Sequence, residues 1–180
     1  MWRRSKMNIK LFVMDVDGVL SDGIYIGENV STGGKIEFKR FSPKDGQAIK
    51  MMADAGIEVA IISARRSQAV EQRARELKIA HVYLGVEDKR HKLNQLMAEL
   101  NVSKDETAYV GDDFGDLRAM QIAGIPVAPA DAAAEAKLIA ESNPNGFVTH
   151  APGGHGAVRE AIERILRDMG IWTQVIAKWM

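Results

Sequence analysis

Two carboxylates, Asp15 and Asp17, stand on either side of Val16 where an apolar run ends, and Gly18 follows directly. Like charges so close together repel, and they remain ionised together only if positive charge sits among them. A divalent cation supplies it most simply, and oxygen-rich carboxylate sites suit magnesium. Three other places offer matching chemistry: Ser63 after the run IEVAII, Lys89 at the start of a helical stretch, and the acidic run GDDFGD from Gly111 to Asp116. A hydroxyl and an ammonium can donate to anionic oxygens. Asp112 and Asp116 lie one helical turn apart, so both can serve one centre. Taken singly, each has an ordinary explanation: a strand end, a helix cap, a solvated lysine, an acidic loop.

The elements that must carry these groups follow from periodicity. Ile9 to Met14 is apolar apart from Lys10 and reads as a buried strand. Residues 24–41 hold two β-rich pieces, IYIG and KIEFKRF, joined by the turn-rich STGG, which predicts a projecting hairpin. Pro43 opens a helix that Gly56 stops after Ala55. Then come a strand IEVAII, a helix Ser67 to Leu77, a strand HVYL and a helix Asp88 to Leu100. Ser103 with Glu106 has capping-box spacing but room only for a turn or very short helix, and a strand ends at Gly111. Helix Phe114 to Ala123, strand IPVA, helix Ala132 to Glu141, strand FVTH and helix Gly156 to Met169 complete the pattern. Strands alternating with helices predict parallel βαβ units, hence an α/β fold with a doubly wound, mainly parallel sheet. In such sheets chemistry gathers at the carboxyl ends of strands, where the four candidate sites fall.

Bulk properties narrow the classes. With 180 residues, 46% of them hydrophobic, the chain is expected to be one domain over residues 1–180 with a full core. Twenty-four basic residues balance 24 acidic ones, which gives no general attraction to nucleic acid or to an anionic membrane. The absence of cysteine removes disulfides, thiolate metal sites and thiol catalysis, and fits a cytoplasmic location. The opening MWRRSKM resembles the basic start of a signal peptide, but the apolar run after it meets Asp15 too early for a secretory core. It is expected to be a short lead-in.

In order and chemistry, the motifs DVDG, Ser63, Lys89 and GDDFGD resemble those of the haloacid dehalogenase phosphohydrolase superfamily. The resemblance implies that Asp15 is a nucleophile forming an aspartyl phosphate, and that Asp17 acts as general acid and then general base. It further implies that the Asp15 carboxylate, the Asp17 backbone carbonyl and Asp112 hold Mg2+, with Asp116 supporting the ion's water shell. Lys89 and Ser63 would serve the phosphoryl oxygens. Asp113 receives no role.

DVDGVLSDG, KRFSPKDG, VAIISAR, GVEDK, YVGDDFGD and GGHGAVRE narrow the resemblance to the capless branch that dephosphorylates 3-deoxy-D-manno-octulosonate 8-phosphate, a step in lipopolysaccharide synthesis. That branch has no cap domain; its hairpins meet in a homotetramer whose neighbours close each pocket. The resemblance implies substrate contacts from Arg65, Lys44 and Asp45. Ala151 and His155 depart from the usual basic residues of the tail motif, and Trp172 and Trp179 in the tail of residues 170–180 can pack on a neighbour or on their own subunit. The alternatives are a phosphatase of a nonulosonate 9-phosphate and, from another class, a receiver-like phospho-acceptor domain. Asp17 and the hairpin weigh against the receiver.

Overall fold

The structure, a computed structural model, describes residues 7–180. The lead-in reading of MWRRSK therefore lies outside the described residues, while Met7 packs against the core. The first strand, β1 (Leu11–Met14), is wholly buried. Phe12 and Met14 enter one apolar cluster, and Leu11 and Val13 enter another. Burial on both faces explains why the strand is an unbroken apolar run. Outside the central sheet, β2 (Tyr25–Asn29) and β3 (Gly34–Phe38) form the expected antiparallel hairpin.

Five more strands complete a six-stranded parallel sheet: β4 (Glu58–Ser63), β5 (His81–Leu84), β6 (Thr107–Val110), β7 (Ile125–Ala128) and β8 (Phe147–Val148). Their order is β5-β4-β1-β6-β7-β8. Val13 stands between Ala60 and Tyr109. One face is covered by α1 (Pro43–Asp54), α2 (Gln68–Leu77), α6 (Ala157–Asp168) and α7 (Trp172–Ala177). The other is covered by α3 (Lys89–Glu99), α4 (Leu117–Met120) and α5 (Ala134–Ser142). The chain runs outward from β1 through β4 to β5, then returns across β1 to β6. The order therefore reverses between β1 and β6, where a doubly wound sheet leaves its crevice.

Helix starts follow local chemistry. Ser42 accepts from the Asp45 amide at 3.5 Å, Ser67 from Val70 at 3.4 Å and Asp88 from His91 at 2.9 Å. Three elements differ from expectation. The helix predicted over Phe114 to Ala123 shrinks to α4, because Asp116 turns its carboxylate back into the protein and its amide closes a turn on the Asp113 carbonyl at 2.8 Å. FVTH pairs over two residues only; Thr149 then donates its hydroxyl to the Ala151 carbonyl at 2.7 Å. The tail forms α7, which buries Val175, and Trp172 packs beneath Arg167 at 4.4 Å from ring to guanidinium carbon.

Helices α1 and α6 are joined by a carboxylate. Asp45, buried near the start of α1, accepts from the Gly156 amide at 3.2 Å and the Arg159 amide at 2.7 Å at the start of α6. Those amides have no partner within their own helix, and an acid there also suits the helix dipole. Both Asp45 oxygens are thereby engaged inside the fold, a structural role beside the expected substrate contact. Asp45→Ala should lower the free energy of unfolding by about 2 kcal/mol, as expected for losing charged hydrogen bonds, and urea denaturation would measure it.

Candidate active site

The crevice between β1 and β6 receives both acidic motifs. Just past β1, the Asp15 amide donates to the Val110 carbonyl at 3.0 Å and fixes that carboxylate at the strand end. The chain then turns tightly: Ser21 donates its amide to Val16 at 2.8 Å, and Gly18 donates to Ser21 at 2.9 Å. Gly18 has φ +83°, and a Cβ there would overlap the Asp112 carboxylate. Glycine is required twice over, for its backbone angle and for the close approach of the second acidic motif.

Lys89 occupies the first turn of α3, a poor place for a cation beside a helix dipole. Two carboxylates reverse that preference: its Nζ lies 2.7 Å from Asp15 Oδ2 and 2.8 Å from Asp116 Oδ1. Burial pushes the Lys89 ammonium down, but the charges of Asp15 and Asp116 outweigh it and raise its pKa. Asp116 is fully engaged. Its Oδ1 also accepts from the buried Tyr109 hydroxyl at 2.8 Å, and its Oδ2 from the amides of Asp112 at 3.3 Å and Asp113 at 3.5 Å.

Asp15 and Asp112 are less well satisfied. Among the described residues, each has a buried Oδ1 with no hydrogen-bond partner. Burial first, then the charge of Asp116, pushes Asp15 up to about 7 and Asp112 up to about 8. Oxygens of Asp15, Asp112 and Asp116 lie within 4.8 Å of one another, close enough to face a single ion. Three carboxylates against one ammonium leave a formal deficit of two positive charges, and the donors are all hard oxygens. A divalent cation of the magnesium type fits that set.

The other expected residues lie around this centre. Ser63 is buried at the end of β4, its hydroxyl accepting from the Arg65 amide at 3.4 Å. Arg65 is exposed just beyond it. Asp17 has its Oδ1 held by the Ser21 hydroxyl at 3.1 Å and by the Lys39 ammonium. Lys44 lines an open cleft of about 500 Å³ with Arg40, Phe41 and His155. His155 is a turn residue, with Nδ1 at 2.9 Å from the Gly153 carbonyl oxygen. Asp113 Oδ1 accepts from the next amide, Phe114, at 2.8 Å. The sites at the ends of β1, β4 and β6 and the start of α3 therefore come to one edge of the sheet, whereas Asp45 is turned into the fold.

Comparison with known proteins assigns the chain to a family. The profile of the haloacid dehalogenase-like hydrolases matches residues 35–130, a span that holds Ser63, Lys89, Asp112 and Asp116. The 3-deoxy-D-manno-octulosonate 8-phosphate phosphatase of Salmonella typhi is 42% identical over 164 residues, covering 91% of this chain and 82% of that protein. The chain belongs to the haloacid dehalogenase-like hydrolase family. Among solved structures similar to this hydrolase is the Moraxella catarrhalis phosphatase of the same name, crystallised with magnesium, phosphate and KDO. It is 36% identical, with a TM-score of 0.87 and coverage of 97% of this chain and 95% of that one. The cobalt-bound Haemophilus influenzae enzyme is 35% identical with a TM-score of 0.79, covering 95% and 98% respectively.

Two residues of this hydrolase's site escaped the sequence reading. Tyr109 carries a faint signal, a hydroxyl in the otherwise apolar or small run AYV, since a buried phenol needs a partner. Lys39 carries none; its partner Asp17 lies 22 residues away, and only the fold of the hairpin root brings them together.

The sign of a pH effect follows from the raised carboxylates. Folded Asp15 and Asp112 keep protons that their unfolded counterparts release near the ordinary value of 3.8. The folded state then binds more protons, so stability falls as pH rises from about 4 through about 8. Without divalent ions, thermal unfolding should occur at lower temperature at pH 8.5 than at pH 6, and millimolar magnesium should narrow that gap. Calorimetry at both pH values checks it. Gly18→Ala should weaken magnesium binding at least about tenfold by displacing Asp112, a size typical of disturbed metal surroundings, measurable by isothermal titration.

Proposed function

We propose that this hydrolase is a magnesium-dependent phosphatase that converts 3-deoxy-D-manno-octulosonate 8-phosphate to the free sugar acid and phosphate, in lipopolysaccharide synthesis. The observation that carries the reading is Lys89 Nζ held between Asp15 and Asp116 at the crevice, beside two buried carboxylate oxygens without partners. It is supported by relatives of that name, and by the Moraxella catarrhalis structure whose ligands are magnesium, phosphate and KDO. Membership of a hydrolase family favours turnover over the signalling role of a receiver domain.

In this reading Asp15 attacks phosphorus, the bond from phosphorus to the sugar oxygen breaks, and Asp17 gives its proton to the departing alkoxide. Water then attacks the aspartyl phosphate and passes a proton to Asp17. The bond from phosphorus to Asp15 breaks, and the Asp15 carboxylate is restored. Lys89 steadies Asp15 and offers its remaining proton to a phosphoryl oxygen, and the Ser63 hydroxyl donates to another. Bound magnesium, held by the Asp15 and Asp112 carboxylates and the Asp17 backbone carbonyl, with Asp116 behind its water shell, would neutralise phosphoryl charge. Arg65, exposed beside Ser63, is the proposed partner of the sugar acid's carboxylate, and Lys44 a second cationic contact.

The hairpin gives the same reading its quaternary form. Tyr25, Ile26, Val30 and Phe38 are exposed on a two-stranded ribbon that has no core of its own. Those side chains are proposed to pack against copies of themselves in a homotetramer, each chain forming one domain without a cap. The proposed setting is the cytoplasm. Among the described residues no helix is long and apolar enough to cross a membrane.

A phosphate-release screen of octulosonate 8-phosphate, a nonulosonate 9-phosphate and simple hexose phosphates tests the substrate. The eight-carbon compound should show a kcat/KM at least about tenfold above the others, equivalent to about 1.4 kcal/mol of discrimination. Asp15→Asn should lower kcat by more than about a thousandfold, in the range seen for lost nucleophiles, with circular dichroism unchanged.

A further inference from the structure

The root of the hairpin carries a side chain that the reaction as described does not use. Along β3 and its continuation, side chains alternate, so Glu37 and Lys39 face one way while Phe38 and Arg40 face the other. Arg40 stays on the outer side, paired with Asp22 and lying over the Tyr25 ring at 5.6 Å. Lys39 turns inward and its side chain is completely shielded from solvent. Its ammonium donates to Asp17 Oδ1, the oxygen that also accepts from the Ser21 hydroxyl at 3.1 Å. Behind it Glu37 lies 3.7 Å from the same ammonium and accepts from the Ser67 hydroxyl at 2.6 Å, at the cap of α2. An antiparallel bridge between Ser21 and Phe41 ties the hairpin root to the Asp17 turn.

Resting on the phosphatase reading above, we propose that Lys39 is a positioning residue for the acid and base Asp17. The two donors occupy Oδ1, and among the described residues no hydrogen bond is made to Oδ2. The carboxyl group is thereby held in one rotational state, with Oδ1 committed to the protein and Oδ2 left to carry the proton to the departing alkoxide and to take one from water. A fully desolvated ammonium is costly unless it is paired. Glu37 and Asp17 together make its buried position tenable, and neither needs a substrate to do so. Lys39 thus acts through Asp17 and does not touch the reacting atoms.

Leaving-group chemistry separates this role from a general structural one. A sugar alkoxide needs a proton as it departs, whereas 4-nitrophenolate leaves without one; water attack on the aspartyl phosphate needs the base in both cases. With Lys39→Met, kcat for octulosonate 8-phosphate should fall at least about thirtyfold, within the range that positioned acid and base catalysis contributes, with KM little changed. With 4-nitrophenyl phosphate, rapid mixing should show a first turnover within about threefold of wild type, followed by a steady state slower by at least about thirtyfold. The trace is then a burst of nitrophenolate equal to the enzyme present. Lys39→Arg, which keeps a donor, should restore most of the steady rate. Equal loss of the first turnover and the steady state, a change in KM alone, or full activity would each overturn the proposal. Should Lys39→Met not fold, Ser21→Ala removes the other donor to Oδ1, and the same rates decide. If wild type ignores octulosonate 8-phosphate, the substrate reading fails, while the nitrophenyl phosphate rates still judge Lys39.

Discussion

Three carboxylates crowd around the buried ammonium of Lys89 in one crevice, and much of the local structure serves to make that concentration of charge tolerable. Lys89 touches both sides, bridging Asp15 and Asp116. It does so from the first turn of a helix whose dipole opposes it, a local cost that only the acidic pair offsets. Asp116 is satisfied by the protein itself, through Lys89, Tyr109 and two backbone amides. Asp15 and Asp112 are left with unpartnered oxygens. Within one cluster, then, one acid is satisfied by the protein and two keep an oxygen open, because of their surroundings and not their residue type.

Backbone closeness is the second requirement. Gly18 admits the Asp112 carboxylate, Gly111 leaves room for the Asp116 side chain, and a Cβ at Gly153 would overlap the Gly18 carbonyl. Three segments far apart in sequence thus stack main chain on main chain or on a carboxylate around one turn. Rotamers cannot relieve the backbone overlap at Gly153, and at Gly18 the positive φ adds strain to the clash with Asp112.

The framework was legible because its signals are local. Alternation of buried strands and amphipathic helices predicted the parallel sheet, and Pro43, Ser67 and Asp88 marked helix starts at or beside the caps. The candidate residues that meet at the crevice were legible through their order along the chain, which resembles that of a known family. What could not be read depends on distant partners. Asp45 precedes a glycine in a stretch that resembles a substrate loop, yet its carboxylate reaches 111 residues onward to the Gly156 amide. The early turns of the expected helix after Phe114 are lost to the inward pull on Asp116, a demand made by Lys89 from another element. Lys39 is one cation among several in KIEFKRF until the hairpin root folds against Asp17.

The sheet's margins bear on how copies of this chain can meet. Strand β8 pairs over two residues only, and β5 has four, with His81 beside Glu58 at 3.1 Å. Such short borders offer little unpaired backbone for another strand to join. Self-association through added strands is accordingly discouraged.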